Sequence, residues 1–492
     1  MPSLNIAIIG AGPAGTTLAH LLLRSEHDIS VSVFEREVSL DARGQGGTLD
    51  LHTNTGLLAL KEAGLYDEFL KHARFDGEAV VLADKHMKRY INLSGGDPNQ
   101  SRGRPEIDRK NLREILLSGL PQGTVKWGHK LERINTTNFP DNPKESALEF
   151  EHTSLNGFDL IVGADGASSR MRSLLSDEKP FFSGVGCIRL SIDNAEKAVP
   201  EIYARVNRGT FFGFSDRKGL IAQQMGDGSI SITAMITKSS TDWIKQYPWN
   251  GTDVPSIKSH LLSEFDDWDP LYKEWIEACD ISPWFANLDM LPVGHKWTHR
   301  PGLTLIGDSA HLATPFAGEG VKLGMADALY LAKAITKYAA SSSPSHTLSS
   351  HVKAFEEDMF VRATRMQDMT YNMMRLMLFE HNAPQATVAP WLCWIADPTF
   401  SSVVVPFCSC GYMAIIGTLV CETGSGGRQK NTSDYNSQLG EAPIVPLSKN
   451  TISLVLVWRS SEIANGLNKV KQINTYNSFL LLGLENRSIR CS

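Results

Sequence analysis

Residues 305–328, LIGDSAHLATPFAGEGVKLGMADA, place an acid, Asp308, directly after an apolar run and follow it with a Pro/Gly turn that opens a helix. Acids at the carboxyl ends of parallel strands lie in the crevice where doubly wound sheets bind ligands. Free N–H groups at the start of the helix, near Gly318 and Gly320, can stabilise negative charge. An ordinary connection does not need so many special backbone positions, so we expect a large ligand to approach the main chain here.

A second glycine cluster, GAGPAG, lies near the start of the chain and fits G-x-G-x-x-G through Gly10, Gly12 and Gly15. In this pattern the first glycine allows a tight turn, the second lets a phosphate approach the backbone, and the third lets the helix pack on the strand. The cluster follows one apolar run and precedes another, which stops at Glu35. This order predicts a βαβ unit that binds a dinucleotide, with Glu35 on the ribose hydroxyls; NAD and FAD both fit at this point.

Two further features favour FAD. Asp165 ends another buried run, FDLIVGADG, so we expect it in the same crevice as Asp308. Arg109, in IDRKNLR, follows the candidate N-cap Asp108 at the start of a predicted helix and could reach a pyrophosphate or a ribityl chain. Each feature alone is compatible with a cap, a turn or a surface charge, but together and in this order they are specific.

These residues resemble the FAD-dependent aromatic-hydroxylase-type monooxygenases, and within them the tetracycline-inactivating monooxygenases and their fungal secondary-metabolism relatives. The resemblance covers residues 1–380 and includes GAGPAG, RGQGGTLDLH, PEIDRKNLR, GADG, FDDWDPLYKEWI and the GDSAH…PFAGEG…ADA block. It implies an α/β fold. The expected architecture is a Rossmann-like FAD-binding domain of the glutathione-reductase or p-hydroxybenzoate-hydroxylase type, with an inserted antiparallel-sheet substrate domain and a C-terminal helical region.

The length of 492 residues allows several domains. We expect residues 1–178 to form the first part of the FAD-binding domain and residues 299–380 to complete it with a long helix. Residues 179–298 are expected to form the substrate domain, since segments such as GTFFGF and SISITAMI indicate an antiparallel sheet. Residues 381–492 contain an apolar segment and a polar tail, for which the sequence predicts no fold.

The resemblance also implies roles for individual positions. Glu35 should hold the adenosine ribose, Arg43 should contact NADPH, and Asp165 should serve both cofactors. The helix start should bring backbone N–H groups to the pyrimidine edge of the flavin. The cofactors expected are FAD, with NADPH or NADH as co-substrate, and no side chain is assigned a catalytic role. The full set of expected cofactor-binding residues is Gly10, Gly12, Gly15, Glu35, Arg36, Arg43, Asp50, Arg109, Asp165, Asp308, Gly318, Gly320 and Val321.

The chain departs from the family at the helix start, which usually reads G-Q-G-x-N. Here the corresponding residues are Gly318-Glu319-Gly320-Val321-Lys322. Backbone contacts survive such changes, so FAD binding is still expected. Lys322 should either point to solvent or place positive charge near the flavin. His52 and His311 are interpreted as hydrogen-bonded structural histidines rather than as groups that contact substrate.

The predicted function is NAD(P)H-dependent insertion of one oxygen atom from O2 into a polycyclic or aromatic small molecule, by hydroxylation or epoxidation, in secondary metabolism or xenobiotic inactivation. A flavin oxidase or dehydrogenase, and a catalytically silent FAD-binding protein, are the alternatives. A flavin halogenase is disfavoured, because its W-x-W-x-I-P motif is expected between the two acid motifs. In this chain the tryptophan pair Trp391 and Trp394 follows both motifs and lacks the proline.

Composition argues against other classes of partner. A net charge of -6 without a long basic run argues against nucleic-acid binding. The cysteines show no zinc-ligand spacing, so no metal is expected. The N-terminal residues do not form a signal peptide, which predicts a cytoplasmic location. Residues 398–421 carry no charged side chain and could contact a membrane, but Pro406 and Gly411 interrupt the run and make this the less favoured alternative.

Overall fold

The computed structural model describes residues 3–40, 46–95, 97, 103–135, 143–246, 253–341 and 346–396, together with three strands nearer the C-terminus. The strands before residue 400 are β1 (Leu4–Ile9), β2 (Ile29–Phe34), β3 (Thr48–Asp50), β4 (Val80–Ala83), β5 (Arg89–Leu93), β6 (Glu106–Asp108), β7 (Val125–Lys126), β8 (Leu131–Asn135), β9 (Ala147–Phe150), β10 (Ser154–Leu155), β11 (Leu160–Gly163), β12 (Phe181–Ile192), β13 (Thr210–Ser215), β14 (Lys218–Gln224), β15 (Ile230–Thr237), β16 (Ile281–Met290) and β17 (Leu303–Leu305). The α-helices are α1 (Pro13–Leu23), α2 (Gly56–Glu62), α3 (Tyr66–Leu70), α4 (Arg109–Ser118), α5 (Ala195–Ala198), α6 (Pro200–Val206), α7 (Val254–Glu264), α8 (Pro270–Ala278), α9 (Asp308–His311), α10 (Gly320–Ala340), α11 (Leu348–Met374) and α12 (Val388–Ala396).

One large sheet is parallel throughout and has the strand order β17-β11-β1-β2-β7. Its inner strands β1 and β11 are apolar and mostly buried, as expected for a parallel sheet covered on both faces. The loops that follow β2, β1, β11 and β17 therefore leave the same edge of the sheet. That edge collects Glu35, Asp165 and Asp308 beside the glycine turn, and the predicted Rossmann-like α/β fold is confirmed.

The glycine turn between β1 and α1 is tightly packed. Gly10 has a φ of +109°, and a methyl group placed on it would lie 2.3 Å from the carbonyl oxygen of Ala164. A methyl group on Gly15 would lie 2.2 Å from the carbonyl oxygen of Gly10. Neither position can accept a side chain unless the turn shifts. Pro13 then begins α1, where its missing N–H has no helical partner to lose.

The second large sheet has seven strands in the order β16-β12-β15-β14-β13-β4-β5. All neighbours are antiparallel except β13 and β4, which are parallel, so the predicted antiparallel sheet is confirmed. Strands β4 and β5 come from residues 80–93, well before the segment in which the sequence suggested this sheet. One face of the sheet packs against α7 and α8, and the contact with α8 includes edge-to-face contacts among Phe211, Tyr272 and Trp275.

Helix α10 and the long helix α11 confirm the helical segments expected after residue 320, and a π-helical turn, Arg375–Phe379, continues α11. Asp327 on α10 is fully buried and joins three parts of the chain. Its Oδ2 accepts a hydrogen bond of 3.1 Å from the backbone N–H of Gly307 and lies 2.6 Å from His311 Nε2. Its Oδ1 accepts a hydrogen bond of 2.8 Å from Arg362 on α11. The strand end, α10 and α11 are thereby held together.

Strands β3 and β6 form a two-stranded antiparallel ribbon that leads directly into α4. Asp108 precedes α4, as expected of an N-cap residue, but its side chain makes no capping hydrogen bond. Instead, its carboxylate accepts hydrogen bonds from Arg74 at 3.1 Å and from the backbone N–H of Gly226 at 2.9 Å. Asp108 therefore connects the ribbon to the turn between β14 and β15.

The described residues of the tail form β18 (Tyr412–Val420), β19 (Val445–Ser448) and β20 (Thr451–Arg459), in an antiparallel sheet of order β18-β20-β19. Most of the segment 398–421, considered above for membrane contact, lies outside the described residues, and the part that is described is a strand. Within the described ranges, no helix has the length and apolar character needed to cross a bilayer.

The Asp327 contacts predict a test of stability. Replacing Asp327 with Asn should lower the free energy of unfolding by about 3 kcal/mol, because His311 and Arg362 then lose the buried charge that they contact. Asp358→Asn is the matched control, since Asp358 also pairs with Arg362 but is 61% exposed. That control should cost about 0.5 kcal/mol or less. Urea titration of both variants would reveal the difference, and equal losses would contradict the proposed role of Asp327.

Glu106 in β6 predicts a pH dependence. Burial and the neighbouring charge of Asp50 raise the pKa of Glu106 to about 7. A carboxyl group whose pKa is raised on folding destabilises the fold increasingly as pH rises from its unfolded pKa to its folded one. Glu106→Gln should therefore stabilise the protein more at pH 8 than at pH 5, by about 2 kcal/mol. Urea titrations at both pH values would test this, with Glu114→Gln on exposed α4 surface as the control that shows no such difference.

Candidate functional site

A cavity of about 420 Å³ opens at the carboxyl edge of the parallel sheet. Five of the residues predicted to bind cofactor line it: Gly10, Gly12, Glu35, Arg36 and Asp165. A methyl group placed on Gly12 would meet no atom within 4 Å, so this side of the turn is open to the cavity. The turn thus combines two closely packed glycines with one free face, as close approach of a phosphate group requires.

Glu35 is held in one orientation by the backbone. Its Oε2 accepts a hydrogen bond of 2.8 Å from the N–H of Ala11, and its Oε1 accepts one of 3.0 Å from the N–H of Glu37. The lone pairs left over can accept hydrogen bonds from ligand hydroxyls. Arg113, which also lines the cavity, pairs with Glu37 and was not identified from the sequence. A signal was present, because Arg113 lies four residues after Arg109 and so shares a face of α4 with it.

Asp165 connects two of the loops at this edge. Its Oδ2 accepts a hydrogen bond of 2.8 Å from the backbone N–H of Arg170, and its Oδ1 accepts one of 3.0 Å from the hydroxyl of Ser309. The Ser309 hydroxyl in turn accepts from the backbone N–H of Gly166 at 2.9 Å. The two acid motifs of the sequence are therefore in direct contact through a single serine.

Arg172 reinforces the same connection and was missed by sequence reasoning. The residue is only 3% exposed, and its guanidinium group donates to four backbone carbonyl groups. The acceptors are Ser309 at 2.8 Å, Asp308 at 2.8 Å, Ala167 at 3.1 Å and Gly166 at 3.4 Å. Burial lowers the pKa of Arg172, while the charges of Asp165 and Asp308 act in the opposite direction. The contacts with Asp308 and Ser309 join residues far apart in the chain, so no spacing in the sequence indicates them.

The remaining predicted residues surround the start of α10. A methyl group on Gly320 would lie 3.7 Å from Oδ1 of Asp308, and one on Gly318 would lie 3.9 Å from Oδ1 of Asp50. Arg109, at the start of α4, lies close enough to Asp308 for their opposite charges to attract. Val321 follows in the first turn of α10. The structure thus brings the acids and the arginine together with the helix start, as the sequence predicted.

Lys322 is buried, so the alternative in which it points to solvent is wrong. Its side chain is 2% exposed, and its Nζ lies 2.9 Å from Glu319 Oε1, 3.2 Å from Asp50 Oδ1 and 3.0 Å from His52 Nε2. Burial acts to raise the pKa of Asp50, but the ammonium group and the hydrogen bond to His52 outweigh it and hold that pKa below its usual range. Burial acts to lower the pKa of Lys322, but the two carboxylates outweigh it and raise that pKa. We call these four residues the Lys322 cluster.

The seven-stranded sheet has two faces, one of which is covered by α7 and α8. The opposite face, which we call the inner face, borders the same region. A methyl group on Gly46 would lie 3.9 Å from Nη1 of Arg189, and one on Gly47 would lie 3.8 Å from Oε1 of Gln223 and 3.9 Å from Nε of Arg109. Strands β12 and β14 thus project polar side chains across these glycines from Arg109. The sequence indicated the sheet but not which of its side chains face the site.

Three further details complete the comparison with the sequence. Arg43, expected to contact NADPH, belongs to residues 41–45, which lie outside the described residues, so its role stays a prediction. The guanidinium group of Arg189 stacks over the ring of Trp284 at 4.9 Å, which fixes its position on the sheet. His52 Nε2 lies 2.9 Å from Asp50 Oδ2 and 3.0 Å from Lys322 Nζ. With a proton Nε2 donates to Asp50, and without one it accepts from Lys322, so it can hydrogen-bond to only one of them at a time.

Comparisons with known proteins agree with this geometry. The sequence matches the family described as FAD binding domain over residues 3–249 and 272–356. Monooxygenase asqM of Emericella nidulans is 30% identical over 427 residues, which cover 75% of this chain and 94% of that relative. A salicylate hydroxylase solved in complex with its substrate aligns with a TM-score of 0.63 at 19% identity, covering 81% of this chain and 95% of that one. Tetracycline destructase Tet(51) aligns with a TM-score of 0.57 at 18% identity, covering 82% and 99%.

The two solved structures show a shared fold, and the family match spans the segments that build both large sheets. The glycine turn, the oriented Glu35 and the paired acid motifs lie inside the matched segments. The chain therefore belongs to the FAD-binding-domain family, as an FAD-dependent monooxygenase of the aromatic-hydroxylase type.

Proposed function

We propose that this monooxygenase uses NADPH or NADH to insert one oxygen atom from O2 into an aromatic or polycyclic small molecule, by hydroxylation or epoxidation. The observation that carries the proposal is the composition of the inner sheet face opposite Arg109. It presents Arg189 and Gln223 beside a region where Phe212 and Phe316 are half-buried. Such a surface suits a flat ring system with a few oxygen substituents. The proposed setting is secondary metabolism or xenobiotic inactivation.

The cofactor fits the residues present. The open face of Gly12 admits a pyrophosphate, and Glu35 has free lone pairs for a ribose. Asp50, Arg109 and Asp308 would hold the rest of the chain of FAD, with the N–H groups at the start of α10 on its ring. When bound, FAD supplies electron transfer and oxygen activation. The protein binds and orients it, and keeps water from the reacting edge.

The substrate would bind on the inner sheet face. The Arg189 guanidinium group can donate hydrogen bonds to a phenolate, carboxylate or carbonyl oxygen, and its contact with Trp284 holds it in place. The Gln223 amide donates at 3.3 Å to Thr210 Oγ1, which leaves its Oε1 free to accept a hydrogen bond from a substrate hydroxyl. Both groups would position the ring system. Neither would transfer the oxygen atom.

Substrate-dependent oxygen incorporation tests the proposed function. The purified protein, supplied with FAD and NADPH or NADH, would be mixed with a panel of phenolic and polycyclic compounds under 18O2. We expect one compound or more to accelerate NAD(P)H oxidation and to gain one 18O atom, detected by mass spectrometry. Hydrogen peroxide in equal amount to the NAD(P)H consumed, with no labelled product for any compound, would indicate an oxidase. FAD binding without NAD(P)H oxidation would indicate a silent FAD-binding protein.

Glu35→Gln tests the placement of the adenosine ribose. The amide keeps the shape of the side chain but replaces a charge-assisted hydrogen bond with a neutral one, so FAD affinity should fall by about tenfold. The measurement is a titration of the apoprotein with FAD, followed by flavin fluorescence. Glu114→Gln on the exposed side of α4 is the matched control and should bind FAD like the wild type. Unchanged affinity in Glu35→Gln would remove Glu35 from the proposed site.

Arg189→Met tests the substrate wall. Methionine keeps much of the apolar stem and removes the guanidinium group, so KM for an oxygen-substituted substrate should rise by about tenfold or more. FAD affinity should stay unchanged, because Arg189 lies on the sheet rather than at the glycine turn. Arg205→Met on α6, which removes an arginine paired with Glu274, provides the control. Equal KM values in wild type and Arg189→Met would contradict this assignment.

A further inference from the structure

The Lys322 cluster places an ion pair inside the wall of the proposed FAD cleft. Glu319 is the residue before α10 and Lys322 lies in its first turn, and the two side chains contact each other at 2.9 Å. Asp50, which comes from the ribbon strand β3, contacts the same ammonium group at 3.2 Å. The ammonium group is 2% exposed, the Glu319 side chain 19% and the Asp50 side chain 26%. The cation is therefore the buried member, and both carboxylates lie nearer to the cleft.

The two departures from the family sequence are the two partners in this contact. Where the resemblance leads us to expect glutamine and asparagine, the chain has Glu319 and Lys322. Each change alone would leave one charge in a largely buried position, which is costly. Together they replace a neutral pair with an ion pair. The pair therefore places two opposite charges in the wall of the cleft and leaves the net charge of these two positions unchanged.

The contacts are also sufficient to keep the lysine charged. An isolated buried lysine loses its proton readily, because burial disfavours the ammonium form. Here three partners surround Nζ within hydrogen-bonding distance, namely Asp50, Glu319 and His52. The ammonium group can donate to both carboxylates, and to His52 when its Nε2 carries no proton. Lys322 therefore stays charged in the first turn of α10, which begins at Gly320.

We propose that Lys322 and Glu319 act as an electrostatic positioning pair that sets the reduction potential of the bound flavin. This inference rests on the proposed placement of FAD in this cleft. A hydride transferred from the nicotinamide carries two electrons and one proton, so the flavin that accepts it gains one negative charge while NAD(P)H becomes NAD(P)+. Lys322 stabilises that charge, and Glu319 opposes it. Lys322 also holds the Asp50 carboxylate in place through the contact with Oδ1 at 3.2 Å.

The two opposite charges predict opposite shifts in the midpoint potential of bound FAD. Lys322→Met removes a positive charge and should shift the midpoint potential of bound FAD downward. Glu319→Gln removes a negative charge and should shift the potential upward. Each shift should change the ratio of oxidised to reduced FAD about tenfold at a fixed solution potential, equivalent to about 30 mV for a two-electron couple. The double variant Glu319→Gln/Lys322→Met should return toward the wild-type value, because both charges are then absent.

The experiment measures midpoint potentials of the four flavin-loaded proteins by equilibrating them with redox dyes of known potential. Lys333→Met, which removes an exposed lysine from the same helix, is the control for a charge screened by solvent and should leave the ratio within about twofold. Thermal unfolding of each variant reports structural damage separately. If Lys322→Met fails to fold, the upward shift in Glu319→Gln and its reversal in the double variant still decide the matter.

Shifts of the same sign in both single variants, or no shift in flavin-loaded variants that keep their thermal stability, would overturn the inference. Such results would leave the cluster with a structural role only. Failure of the wild-type protein to bind FAD would be a different result. It would refute the proposed function itself, and the midpoint potentials could not then be measured in any variant.

Discussion

The site depends on keeping four charged or polar loops at one edge of a parallel sheet. The carboxyl ends of adjacent parallel strands must lie side by side, so the acids that follow them repel one another and compete for the same space. Arg172 offsets this by donating to the backbone carbonyl groups of Gly166, Ala167, Asp308 and Ser309. A buried guanidinium group whose hydrogen bonds go to carbonyl oxygens holds the loops in place, and its charge also attracts Asp165 and Asp308.

The start of α10 is also held in place by contacts with neighbouring elements. Asp327 joins the end of β17 to α10 and α11, and it lies two turns along α10 from Gly320. The same helix carries Lys322, whose contacts reach across to the ribbon. One rigid element therefore carries both a structural ion cluster and the charged pair at the cleft. Its position is determined by contacts with the end of β17, with α11 and with the ribbon strand β3.

The placement of the residues in the proposed nucleotide half of the site could largely be predicted from the sequence, because its signals are local. The glycine spacing and Glu35 belong to one βαβ unit, and Asp165 and Asp308 each end an apolar run. Lys322 shows where such reasoning stops, since its burial depends on Asp50 from a distant strand. The position of Asp108 before α4 was also predictable, but its contacts with Arg74 and Gly226 were not, because they join elements far apart in the chain.

The order of strands in both sheets has a consequence for synthesis of the protein on the ribosome. The central strand β1 emerges first and its neighbour β2 follows it closely, but its other neighbour β11 follows roughly 150 residues later, and β17, which pairs with β11, roughly 300 residues later. The hairpin of β4 and β5 likewise waits for β13 before it gains its parallel partner. Domains usually fold as units while the chain grows. In this chain neither large sheet can be completed from the N-terminal part alone, so the nascent polypeptide must carry unpaired apolar strand edges until Leu305 has left the ribosome.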